Sequence, residues 1–568
     1  MAASFAPRSK FQIRDHGDRM PSSRQQKCRI VSPAALAVAL LVIFAASALP
    51  AVGQTSVTTY HNDNYRTGWN QTESVLTPAN VSAATFGRLQ TVPLDDQVDA
   101  QPLVVPGVQI TAGNYQGTHD VVYVATENNS VYAIDVHTGA VLLSPNFGSP
   151  VRYPLGCNNN GPNVGVNSTP VIDKNSNTMY VMVYNQLSNG SQQYKLHALD
   201  LGSLTDKVAP AVVAASNTLT DGSTFNFNAT YQRQRPALLF ANSSIYAGFG
   251  SFCDYAGNLS RGWLLGWTAG SLAPFPSNQL NDLQATDADT FFLSSIWMSG
   301  YGPAADDSGN VLFVTGNSDP YSYDGVTNLQ ESVVKMSPTL TTVLSLFTPD
   351  NQVSLDQGDT DFGSGGVLVL PDQAGPDPFL AVAAGKDGNM YLMNEDDLGG
   401  YSPSTNNVLG TYSVGGCWCG ESYYVDPTDG TGRVVSSGGK SVGVWKVHTS
   451  PTVGLTEVEA SEPIAGSQDP GFFTTISSNG TANPLIWALT RPQNSRVAPL
   501  RLLAFNPDSG KKKNMIKKLF GSEAGTWPNL SGNANLVPVV ANGQVFVASY
   551  KQLQIFGLLP ASGKTKKK

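Results

Sequence analysis

Two aspartates one residue apart, Asp359-Thr-Asp361, are the most metal-like element of this 568-residue sequence. Alternate carboxylates can share one hard cation. The ordinary alternative is local, since Asp in a glycine-rich loop caps its own turn. Downstream, Gly385-Lys386-Asp387-Gly388 adds charge of both signs, and Arg235 adds another cation. Such groups either bind a polar ligand or pair with one another. Trp297 offers a flat face to a ring or sugar, although tryptophan also packs routinely between sheets. Glu127, Asn167 and Asn317 complete the candidate ligand-binding set, with Asp359 and Asp361 as the weak metal candidates. No residue is assigned a catalytic role from spacing; P-loop and His-Glu-x-x-His patterns are both missing.

The cysteines add a second chemistry. Beyond residue 53 they are Cys157, Cys253, Cys417 and Cys419. An even number in an exported chain permits two disulfides, Cys157 with Cys253 and a strained Cys417–Cys419 link, although sequence leaves connectivity open. The histidines are scattered with no pair at ligand spacing, which argues against zinc.

Export is read from the amino-terminal region. Ile30 to Val52 carries no charge, follows Lys27 and Arg29, and ends in Ala51-Val52-Gly53. This is the pattern of a secretory leader over residues 1–53, cleaved before Gln54 or retained as an anchor. The expected location is secreted or periplasmic, with no membrane span once the leader is removed. The whole chain has 34 basic and 42 acidic residues; the leader holds seven and two of them, so 27 and 40 remain and the body is strongly acidic. An acidic body repels phosphate backbones, so no nucleic-acid partner is expected. Residues 561–568 read as a solvated basic tail.

What would position these residues is a repeat. Its clearest copy is Pro102-Leu-Val-Val, Val121-Val-Tyr-Val-Ala-Thr, Glu127-Asn-Asn, then Ser130-Val-Tyr-Ala-Ile-Asp135. Seven further copies start near Thr169, Arg235, Gly302, Ser364, Ser422, Phe473 and Leu536, roughly 60 residues apart. Alternating Val, Tyr and Ile between Asn-Gly and Asp-Gly turns spells antiparallel meanders. A lone meander cannot cover both faces, whereas eight arranged around an axis can. The predicted fold is all-β: an eight-bladed β-propeller of four-stranded blades over residues 86–560. The last copy has three strands, and Phe86–Leu94 is the spare strand that closes the ring. Residues 54–85 form an amino-terminal extension expected to pack across the propeller.

Val122-Tyr-Val-Ala-Thr-Glu-Asn-Asn-Ser-Val-Tyr-Ala-Ile-Asp-Val-His-Thr-Gly139 resembles the repeat of pyrroloquinoline-quinone-type (quinoprotein alcohol dehydrogenase-like) propellers, and Val166–Asp173, Gly302–Asp306 and Ala384–Gly388 are similar to exported bacterial members. In the dehydrogenases of that family the quinone lies between a Trp floor and an adjacent Cys-Cys disulfide. Calcium polarises it, and an Asp acts as base. The resemblance therefore implies pyrroloquinoline quinone and calcium as cofactors. The sequence departs from it in having no Cys-Cys dipeptide and no Cys-x-x-Cys-His haem motif. These departures favour a monomeric binding or scaffold propeller presenting loops to an envelope protein or carbohydrate. The alternative is a quinone- and calcium-dependent dehydrogenase of alcohols or sugars. In either case the loops before each first strand and between second and third strands meet at one mouth of the channel.

Overall fold

The computed structural model describes residues 54–560, apart from 160, 465–470, 491–497, 508–513 and 529–535. The expected leader at 1–53 and the basic tail at 561–568 lie outside the described residues.

Eight antiparallel sheets form the eight blades. The first is Leu103–Ile110, Gly117–Ala125, Val131–Asp135 and Val141–Leu143, paired in sequence order. The next six begin at Val171, Leu239, Ala304, Val367, Ser422 and Phe473, in the repeats read from the sequence. The eighth is Val539–Ala541, Gln544–Ser549 and Gln552–Leu558, completed by Phe86–Pro93. Phe86 pairs with Leu558 and Pro93 with Gln552, so both ends of the described chain share one sheet. That pairing removes the open edge a ring of meanders would otherwise leave.

The second strands are buried on both faces. Val121 to Ala125 and Thr178 to Asn185 show no exposed alternate position. Neighbouring blades cover each face, so these strands lose the in–out alternation of a one-sided sheet. Two blades gain a short parallel fifth strand, Trp69–Asn70 against Phe473–Asn479 and Gly400–Tyr401 against Val343–Thr348. Among the described residues no helix is long and apolar enough to cross a membrane.

The extension is more than a cover. Its backbone or side chains bond in order to the first strand of every blade. Val57 exchanges hydrogen bonds with Val104, and the Thr58 carbonyl accepts from Ile172. Asn64 bonds the Phe240 carbonyl through its side chain and Ala305 through its backbone. Tyr65, Thr67 and Gly68 carbonyls accept from Val369, Tyr423 and Ile476. Asn70 Nδ2 then donates to the Val540 carbonyl. At its centre Arg66 is fully buried, donating from Nε to the Pro303 carbonyl at 2.9 Å and from Nη1 to Thr59 Oγ1 at 2.7 Å and the Tyr60 carbonyl at 2.9 Å. A buried guanidinium is tolerated when its donors are matched this way.

Candidate functional site

The loops that precede first strands and those joining second to third strands meet around one cavity of about 210 Å³. Arg233 and Arg235 come from the approach to the third blade, and Ser251, Cys253 and Asp254 from its inner loop. Trp297 precedes the fourth blade, Asp359 and Asp361 the fifth, and Trp418 the sixth; Lys386 lies between second and third strands of the fifth, and Asn159 on the insert ahead of the second.

The electrostatic centre is Lys386. Its ammonium bonds Asp359 Oδ1 at 3.1 Å and makes a short contact with Asp361 Oδ2. Burial alone would lower the lysine's pKa, but Asp361 and Asp359 outweigh it and hold the ammonium above its ordinary range. Burial likewise works to raise Asp361, yet Lys386 and the Asn317 backbone N–H (3.0 Å to Oδ1) keep it ionised and below the carboxylate range. Asp254 goes the other way: burial and the Asp361 charge raise it to about 6, against a hydrogen bond from Ser251. One wall therefore carries a carboxylate locked as an anion and another poised near neutrality.

The apolar faces are aromatic and sulfur. Lys386 Nζ lies 5.5 Å from the Trp297 ring centroid and 5.3 Å from that of Trp418, and the two indoles meet edge to face at 6.0 Å. The Arg235 guanidinium lies 5.4 Å from the Trp297 ring, a cation–π distance. Gly316 permits this approach, because a Cβ there would fall 2.5 Å from Asp361 Oδ1 and 3.0 Å from Trp297 Nε1. Cys253 is disulfide-bonded to Cys157, with 5.6 Å between Cα atoms, tying the blade-three loop to the insert. Cys417 and Cys419 bond each other around Trp418.

Arg233 is braced from behind. Its Nη1 donates to Asn159 Oδ1 at 2.7 Å and its Nε to Asn167 Oδ1 at 3.1 Å. Asn167 Nδ2 in turn donates to Glu127 Oε1 at 2.5 Å, and Glu127 Oε2 accepts the Gly165 N–H at 2.7 Å. Burial and the neighbouring Asp99 push Glu127 well above the carboxylate range.

Of the residues expected at the mouth, Arg235, Trp297, Asp359, Asp361 and Lys386 line the cavity. Glu127 and Asn167 instead lie behind Arg233, since both are buried and spend their polar atoms on the network. Asn317 supports Asp361 through its backbone. Asp387 caps its own turn, bonding Asn389 Nδ2 and the Tyr391 hydroxyl at 2.8 Å each. Trp418 and the disulfide as a wall were not read as site features, because nothing in local spacing ties residues 157, 253 and 418 together.

The metal expectation also changes. Asp359 and Asp361 share an ammonium, and with Asp254 they do not gather into one coordination shell; among the described residues the cluster of three candidate ligands is Cys417, Cys419 and Glu421. Both of those sulfurs are spent on a disulfide. As placed, these donors do not fit calcium, and no chemical step is derived through it. A flat polycarboxylate quinone does fit the donor set: three cations, an indole face and a disulfide border a cavity sized for one small molecule.

No family model matches the chain, and no curated protein matches it. Solved structures do. Quinohemoprotein alcohol dehydrogenase from Comamonas testosteroni aligns with TM-score 0.58 at 13% identity, over 90% of this chain and 81% of that one. The chain has the fold of a quinoprotein dehydrogenase propeller. A europium-containing methanol dehydrogenase aligns with TM-score 0.55 at 11% identity, over 89% of this chain and 98% of that one. Quinohemoprotein alcohol dehydrogenase ADHIIG from Pseudomonas putida HK5 gives 0.55 at 13%, over 89% of this chain and 80% of that one. At such identities the likeness speaks to fold alone.

Proposed function

We propose that this is an exported quinone-dependent oxidoreductase whose cofactor occupies the channel mouth. One observation carries the reading: Trp297, the Cys157–Cys253 disulfide, the Lys386–Asp361 pair, Arg233 and Arg235 converge on a single cavity although they come from the third to fifth blades and the insert. A surface that only docks a partner has no need of an ion pair sunk beside an indole and a disulfide.

Arg233 and Arg235 would hold carboxylates, and Lys386 would donate to a carbonyl oxygen of the ring system by giving up a bond to exposed Asp359, whose carbonyl and Oδ1 it contacts at 3.0 and 3.1 Å. Trp297 and the disulfide would exclude water from its faces. When bound, the quinone supplies the capacity to accept two electrons from an alcohol carbon. Asp361 remains an anion throughout, because Lys386 and the Asn317 N–H hold it so. Asp254 would take the hydroxyl proton and return it to solvent, its pKa of about 6 lying near the working range of a general base.

The test is titration of the purified protein with pyrroloquinoline quinone, followed by visible absorbance and melting temperature, with and without a chelator. The expected result is saturable, chelator-insensitive binding, with stabilisation of about 2.7 kcal/mol at a hundredfold excess over Kd. Binding tightens as pH falls through about 6, because Asp254 then loses its negative charge beside an anionic ligand. Dye-linked oxidation of primary alcohols and sugars is the activity readout. Absence of any shift at saturating quinone returns the chain to a binding propeller.

A further inference from the structure

A second cavity, of about 190 Å³, opens between the fifth and sixth blades and shares no lining residue with the mouth. It is bordered by Ser436, Lys440, Ser441, Gly443, Trp445 and Glu457. Trp445 is only 8% exposed, and its Nε1 is buried without a hydrogen-bond partner. A buried N–H is normally paired, so an unpaired one on a cavity wall points to an acceptor that comes from outside.

The backbone arranges this deliberately. Trp445 on Gly443–His448 pairs directly with Glu457 on Gly454–Ala460, so the two side chains share a face. A register shift between Val444 and Trp445 sets that pairing, a bulge of the sort that re-aims a side chain. Gly443 keeps the floor open: a Cβ there would fall 3.0 Å from Trp445 Nε1 and 3.2 Å from Glu457 Oε1.

The charges then specify the ligand. The Lys440 ammonium and the Glu457 carboxylate form no ion pair, with each other or with any described residue. Both charges are exposed, so water solvates them while the cavity is empty. A lone anion would pair with the lysine and the indole but meet the carboxylate's repulsion; a lone cation would do the reverse, and a neutral polyol would engage neither charge. A molecule carrying both charges a few bonds apart satisfies all three groups. We propose that this cavity binds a small zwitterion of the α-amino-acid class, with its carboxylate on Lys440 Nζ and Trp445 Nε1 and its ammonium on Glu457. The serine hydroxyls of Ser436 and Ser441 edge the same space.

The proposal is independent of the quinone reading, and its test does not use activity. The full chain is titrated calorimetrically with glycine, L-serine and L-glutamine, and with N-acetyl-L-serine, L-serinamide and glycerol as controls. At least one free amino acid is expected to saturate the protein, while blocking either terminus weakens binding at least tenfold. Glu457→Gln, at an exposed position, should weaken it at least tenfold with the melting temperature unchanged, and Gly443→Ala should abolish it by filling the floor. The proposal is overturned if no free amino acid saturates, if glycerol or a blocked form binds as well, or if both variants bind like the parent.

Discussion

Replacing Lys386 with Met keeps most of the aliphatic stem but deletes the ammonium that faces Trp297 and Trp418. The two carboxylates it serves are unequal. The Asp359 side chain is 72% exposed, so water screens its share of the pair to almost nothing. The Asp361 side chain is 4% exposed, and the variant leaves it as an uncompensated buried anion. Breaking a buried pair from one side costs about 3–5 kcal/mol. The lower end applies, because Asp361 retains the Asn317 N–H. With an unfolding entropy of roughly 2 cal/mol/K per residue over roughly 500 residues, about 3 kcal/mol lowers the melting temperature by about 3 °C. The pH dependence is the sharper readout. In the parent, the folded Asp361 pKa is depressed, so its contribution is present at neutral pH and lost only in acid. In the variant burial is opposed only by hydrogen bonds such as that from the Asn317 N–H, and the folded pKa is expected to move above the unfolded value. The penalty is then largest at pH 8 and shrinks as protonation neutralises Asp361 toward pH 4.5. Thermal melts of both proteins at the two pH values measure this. A variant as stable as the parent at pH 8, or a deficit that does not change with pH, would falsify the assignment of Lys386 as the counter-ion of Asp361.

Two further outcomes follow from the same geometry. The Cys157–Cys253 bridge closes a span of 96 residues, whereas Cys417–Cys419 closes a span of two. Loop-closure entropy puts the first at up to about 4.7 kcal/mol and the second far lower, so denaturant titration should show Cys157→Ser/Cys253→Ser losing much more stability than the Cys417/Cys419 pair of substitutions. Equal losses would refute that account. Burial raises Asp356 to about 8 and Asp282, Glu395 and Glu421 to about 7. The folded state then binds more protons than the unfolded chain above about pH 4, and stability should rise as pH falls from 8.5 toward 5.5. A melting temperature that is flat or falls over that interval contradicts these environments.

The propeller was legible because its signals are local. Short runs of Val, Tyr and Ile, a turn every few residues and a three-strand final copy suffice to count eight blades and to assign Phe86–Pro93 to the last one. Each of those features is set by neighbours in the chain. Repeat position also indicated which loops reach the mouth, and that placed Arg235, Trp297, Asp359, Asp361 and Lys386 together.

Which atoms those loops present depended on contacts between distant segments. Glu127 looked like a mouth carboxylate by position, yet it turns inward because Asn167 and Gly165 satisfy it there. Asp359-Thr-Asp361 looked like a cation site, yet Lys386, 25 positions on from Asp361, brings its own cation. Arg66 gave no sign that its donors would reach the Pro303 and Tyr60 carbonyls. By itself the sequence determined the blades, their number and their closure, since hydrophobic period and turn chemistry act over a few residues. Only the tertiary structure decided which polar groups are spent on one another and which are left facing a cavity, because hydrogen bonding and charge pairing are settled by proximity in space, and radial packing brings together residues the chain keeps far apart.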